Sequence, residues 1–171
     1  MMNQLFRTKT LATLGMLIAL DIILTRFLAI QTPQIRISLG FLAIAVIGML
    51  YGPVIAGIAA GMSDIIGWAL APFAPFFPGF TLTAIVTGVI FGYFLHKPQT
   101  LLRSYFFCAL SLIVICDALL NTLWLSLTLN VPFASLLLTR GIKLGVMIVL
   151  YLTVLPLICE KVRTFYKART I

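Results

Sequence analysis

Apolar residues fill this chain in long blocks, separated by short polar or proline-rich stretches. Blocks of roughly 20 apolar residues are the length at which a helix crosses a bilayer. The first, Leu11 to Ile30, predicts a helix that ends at the polar, proline-containing loop Gln31 to Ser38. The next apolar run, Leu39 to Leu70, is too long for one helix and too short for two full ones. Gly52-Pro53 divides it, because proline lacks an amide donor and pushes the preceding residue out of the α region. Helices are therefore expected over 39–51 and 54–70. Ala71 to Gly79 carries Pro72, Pro75 and Pro78 interleaved with Phe73, Phe76, Phe77 and the following Phe80, and forms no regular helix. Such a stretch is tolerated at membrane depth only where it packs on protein or lines a cavity, which makes it a candidate lid. Further helices are expected over 81–95, 105–128 and 134–158. The predicted fold is all-α: a single integral membrane domain over 1–171, built as a compact bundle of six transmembrane helices.

Composition agrees with lipid as the solvent. Hydrophobic residues make up 62% of the 171 positions and charged ones 9%, too few polar groups for a wettable surface. Six spans leave no room for a soluble catalytic domain. The net charge of +8 does not point to nucleic acid, because the basic residues are scattered among apolar runs and form no patch with exposed aromatics. Arg7 and Lys9 precede the first helix, His96, Lys97 and Arg103 lie between the fourth and fifth, and Lys161, Arg163, Lys167 and Arg169 follow the sixth. An even number of spans brings these groups to one side, which the positive-inside rule makes the cytoplasm, so both termini are expected there. Asp21 and the lack of an A-x-A site argue for a retained first helix over a cleaved signal. Cys108, Cys116 and Cys159 sit inside apolar segments without CxxC spacing and read as small buried hydrophobes.

Charged residues inside the spans narrow the chemistry. Asp21, Asp64, Asp117, Arg26, Arg140 and Lys143 all fall there, each at a cost of about 2.5–3.5 kcal/mol at a helix centre, so each needs a partner. Internal ion pairs that fix helix register are one reading; a polar cavity for a ligand is the other. Asp117, Asn121, Trp124 and Thr128 follow at steps of four, three and four and share one helix face. Arg140, Lys143, Met147 and Tyr151 make a second stripe, suited to an anionic group. Asp64, in GMSDIIGW, can accept two parallel hydrogen bonds from adjacent N–H donors of a heterocycle. Asp21 is five positions from Arg26, about 140° around an α-helix, so the two are not expected to pair and Asp21 is read as structural. GxxxG spacings at Gly48/Gly52, Gly57/Gly61, Gly88/Gly92 and Gly141/Gly145 point to close helix packing. Gly15 and Ala19, with Ala12 nearby, suit internal packing or a partner's helix equally. Walker A, HExxH and GxSxG sequences are absent, so the chain is not expected to hydrolyse ATP by that route, and no catalytic residue, metal site or cofactor is expected.

Three stretches together resemble a family: GMSDIIGW (Gly61 to Trp68), FFPGFTLTAIVTGVIFGYFL (Phe76 to Leu95) and RFLAIQTPQIRISLGFL (Arg26 to Leu42). They are similar to the folate-specific S components of energy-coupling factor transporters, the substrate-binding subunits of an ABC-type vitamin importer, and the resemblance covers nearly the whole chain. It implies a multi-pass protein of a prokaryotic plasma membrane that captures folate outside and works with a transmembrane coupling subunit and two cytoplasmic ATPases. Gating by the first or third loop is implied, here Gln31 to Ser38 and Ala71 to Gly79. The family's first helix docks the coupling subunit through an AxxxA motif; this chain has Ala12-x-x-x-Met16 and Gly15-x-x-x-Ala19 instead.

A pterin edge fits Asp64 or Asp117 as acceptor, with Trp68, Trp124 or lid phenylalanines such as Phe77 as stacking surface. Arg26, Arg36, Arg140 and Lys143 are placed to meet the glutamate carboxylates, and Asn121 and Tyr151 complete the expected lining. Other readings stay open: an S component for riboflavin or thiamin, or a proton-coupled carrier or intramembrane enzyme using Asp64 and Asp117 as an acid–base pair.

Overall fold

A computed structural model of the protein describes residues 8–31, 36–72, 75–96 and 102–168. Helix α1 spans Thr8–Phe27, α2 Phe41–Tyr51, α3 Pro53–Leu70, α4 Pro78–Leu95, α5 Leu102–Leu129, α6 Phe133–Thr139 and α7 Gly141–Ala168. Five of these are long and apolar enough to cross a membrane. The sixth apolar helix, α2, has 11 residues, about 16 Å at 1.5 Å per residue, roughly half a bilayer core. It survives at that length because it is wrapped by protein: every residue from Ala43 to Met49 is buried.

The break before α3 lies where proline chemistry places it. Tyr51 ends α2, Gly52 turns the chain with φ +85°, and Pro53 opens α3 at a position where its missing N–H costs nothing. Pro78 opens α4 in the same way, three residues earlier than the expected 81. The segment expected as one helix over 134–158 differs: α6 ends at Thr139, Arg140 forms the junction, and α7 begins at Gly141. Between α1 and α2 the chain forms a two-residue antiparallel ladder, β1 (Ile30–Gln31) with β2 (Arg36–Ile37), a small addition to an otherwise helical fold.

Small residues seat α2, α3 and α4 on one another. A Cβ on Gly48 would lie 2.7 Å from the backbone N of Gly92, and one on Gly88 or Gly92 would strike the α3 backbone at Ala56 or Pro53. Gly57 and Gly61 receive Val89 and Ile85 from α4. A Cβ on Gly141 or Gly145 would meet nothing within 4 Å, so that spacing packs on nothing within the described chain. Gly92→Val is therefore expected to destabilise the fold by about 1–3 kcal/mol or more, and Gly145→Val by less than about 0.5 kcal/mol. Thermal unfolding in detergent checks this, and equal melting temperatures for the two variants would refute it.

α1 is the least enclosed long helix, with 11% of its span buried against 28–39% for the others. The core gathers on the other elements, where Phe41, Ile47, Phe91, Leu112 and Leu155 meet.

Candidate functional site

Two of the helices are locally underwound into π-helical turns, and both turns carry cavity charges. In α1 the turn covers Ile23–Phe27, with Leu28 N–H donating to Ile23 O five residues back at 3.2 Å. In α5 it covers Leu112–Leu120, closed by Asn121 N–H on Cys116 O. An i→i+5 pattern brings residues five apart onto nearly one face, and π-turns recur at functional sites. Arg26 is thereby rotated onto the face of Asp21, and both line one cavity. Arg26 nonetheless bonds Asp64, as the expected lack of an Asp21–Arg26 pair requires, and Asp21 accepts from Ser63. A threonine hydroxyl stabilises each turn by donating to the aspartate carbonyl: Thr25 to Asp21 O at 2.6 Å and Thr122 to Asp117 O at 3.1 Å.

The cavity is about 700 Å³, within the usual range for small-molecule sites. Asp21, Thr25 and Arg26 come from α1, Ser63, Asp64 and Trp68 from α3, and Pro75, Phe76, Phe77 and Phe80 from the lid and the start of α4. Asp117 and Asn121 enter from α5, and Arg140, Lys143, Met147 and Tyr151 from the α6–α7 junction and α7. The proline-rich segment is thus an aromatic wall, with the Trp68 and Phe76 rings 5.1 Å apart; Phe73 lies outside the described residues.

The charges form two clusters. In the first, Arg26 Nη2 donates to Asp64 Oδ1 at 2.9 Å and to Asp64 O at 3.1 Å, while Thr81 Oγ1 donates to Asp64 Oδ2 at 2.8 Å. Ser63 donates to the Asp21 carboxylate alongside. In the second, Lys143 pairs with Asp117, and Arg140 Nη1 donates to Thr122 Oγ1 at 2.9 Å. Asp64 and Asp117 are each held by their own cation, Arg26 and Lys143. Asp64 is the more open carboxylate, 22% exposed against 7% for Asp117.

Of the expected site residues, Arg26, Asp64, Trp68, Phe77, Asp117, Asn121, Arg140, Lys143 and Tyr151 converge on this cavity. Trp124 does not line it. Its indole N–H donates to Thr83 Oγ1 at 3.1 Å, its ring packs 5.6 Å from Phe77, and it lines a neighbouring shallow apolar groove instead. Leu125 takes the cavity position one residue on, so Trp124 braces the lid from behind. Arg36 pairs through its backbone with Gln31, and its side chain lies outside the described residues. Tyr151 is buried and lines the cavity, its ring edge-on to Phe41 at 4.8 Å between centroids. Thr81, Thr122 and Ser63 were not legible, since threonine and serine in membrane helices ordinarily bond their own backbone and carry no spacing signal. Ala12, Gly15, Met16 and Ala19 lie exposed on α1, and nothing comes within 4 Å of a Cβ placed on Gly15. Among the described residues no group of three or more metal-ligating side chains occurs.

The family model for the substrate-specific component of ECF transporters matches residues 9–159. The folate transporter FolT of Clostridium novyi (strain NT) is 36% identical over 141 residues, 82% of each chain. The folate transporter FolT of Leuconostoc mesenteroides subsp. mesenteroides is 32% identical over 120 residues, 69% of this chain and 64% of that one. A crystal structure of FolT bound with folic acid matches with a TM-score of 0.86 at 34% identity, covering 91% of this chain and 95% of that one.

Proposed function

The chain belongs to the ECF transporter substrate-specific components, and from that premise we propose that it is a multi-pass membrane subunit that binds folate for an ATP-driven importer. One observation carries the reading: a cavity of about 700 Å³ lined by aromatic side chains and by two ion pairs, Arg26 with Asp64 and Lys143 with Asp117. Folate has the matching division, a flat pterin at one end and a dianionic glutamate at the other. Its relatives that bear the name folate transporter supply the ligand; the cavity supplies the chemistry.

The pterin is assigned to the Asp64 side. There the carboxylate is open to the cavity, and Trp68, Phe76, Phe77 and Phe80 offer ring faces. A carboxylate has about four acceptor positions, so Asp64 can keep Arg26 and Thr81 and still accept from the pterin amino group and ring N–H. The coupling subunit and the two ATPases are the partners implied by the family, and the open face of Ala12, Gly15, Met16 and Ala19 on α1 is the surface assigned to the coupling subunit.

Titration of the purified chain in detergent tests this. Folate is expected to bind, and Asp64→Asn to weaken binding at least about tenfold, because an acceptor becomes a donor and Arg26 loses its counter-charge. Riboflavin or thiamin binding in place of folate would overturn the substrate. Unchanged affinity in Asp64→Asn would confine Asp64 to a structural role.

A further inference from the structure

Arg140 is a cavity cation that the protein leaves incompletely satisfied. It is 2% exposed and lines the cavity, yet among the described residues its buried Nε has no hydrogen-bond partner and Nη1 is the one guanidinium nitrogen that has one. A buried donor left unpaired is costly and is relieved when an acceptor arrives. The local charge points the same way. Arg140 feels the charge of Asp117, which Lys143 already holds, whereas Arg26 is paired with Asp64.

We propose that the Nε–Nη2 edge of Arg140 receives a substrate carboxylate and that Thr122 is the positioning residue that aims it. The assignment rests on the folate reading, since the glutamate tail supplies the carboxylate. A guanidinium offers side-on a pair of parallel N–H donors that matches a carboxylate as a fork, provided the plane of the group is fixed. Thr122 fixes it. The hydroxyl is fully buried, accepts from Nη1 at 2.9 Å and donates to Asp117 O at 3.1 Å, so it cannot turn without giving up a buried hydrogen bond. The tethered Nη1 leaves the opposite edge for the ligand. The break between α6 and α7 serves this geometry, because Arg140 sits at the junction itself.

Calorimetric titration of the full chain with folate and with its α,γ-diamide, which keeps the pterin and removes both charges, tests the assignment. The wild type is expected to prefer folate by about 10- to 100-fold. Arg140→Gln should erase that preference by weakening folate alone, and Arg140→Lys, which lacks the fork, should reduce it. Thr122→Val should narrow the preference and Thr122→Ser restore it, a rescue that a merely space-filling Thr122 does not predict. Equal binding of folate and diamide by the wild type overturns the proposal without any variant, even where Arg140→Gln fails to fold. A preference that survives Arg140→Gln also overturns it, and one that survives Thr122→Val overturns the role of Thr122. Absence of binding by the wild type to either ligand overturns the folate reading and the assignment together, so the two failures are distinguishable.

Discussion

Lys143→Met is expected to lower the stability of the folded chain by about 3–5 kcal/mol, because it strands the Asp117 carboxylate inside the bilayer-spanning part of α5. Both side chains are 7% exposed, so water offers little relief. A buried pair, once intact, is often worth little against an apolar replacement, while half a pair is costly. The double variant Asp117→Asn/Lys143→Met is therefore expected to recover most of the loss. Unfolding can be read with a thiol-reactive fluorophore, since Cys108, Cys116 and Cys159 are free and buried until the bundle opens. If the single and double variants melt alike, the pair does not contribute to stability in this way.

Gly15→Leu combined with Ala19→Leu is expected to leave folate affinity within about twofold while abolishing uptake by proteoliposomes that contain the coupling subunit and ATPases. Both positions are exposed on α1, on the same face as Ala12 and Met16 by their spacing of three and four. Small residues let helix backbones approach within membranes, so two leucines hold a docking helix away. Gly145→Leu is the matched control, another open glycine on a different helix. Uptake that survives the double variant removes this face as the docking surface. Loss of binding as well as uptake means that α1 packs more closely on the bundle than its exposure indicates.

These two experiments probe features of different legibility. The small-residue face of α1 could be read from spacing, because periodicity along one helix is a local property. The same is true of the break at Gly52-Pro53 and of the irregular proline-rich segment, where the backbone chemistry of single residues dictates the outcome. The partner of Asp117 was not legible in that way. Lys143 is 26 positions away, and nothing along the chain distinguishes it from Arg140 as the pairing cation. Trp124 shows the limit of extrapolating a face: spacing from Asp117 placed it in the cavity, yet the π-turn over Leu112–Leu120 intervenes, and the indole instead bonds Thr83. The same kind of turn in α1 had the opposite consequence for Asp21, which was read as structural and lines the cavity.

By itself the sequence determined residence in lipid, where most of the apolar helices lie, and which residues are too costly in a membrane to lack a purpose. Each of these follows from transfer free energies and backbone preferences that are summed residue by residue. The tertiary structure decided which charges neutralise one another, which aromatic side chains line the cavity, and that Arg140 keeps its Nε without a partner among the described residues. Those outcomes depend on the rotation of one helix against another, and a single π-turn alters that rotation while leaving composition and hydropathy unchanged.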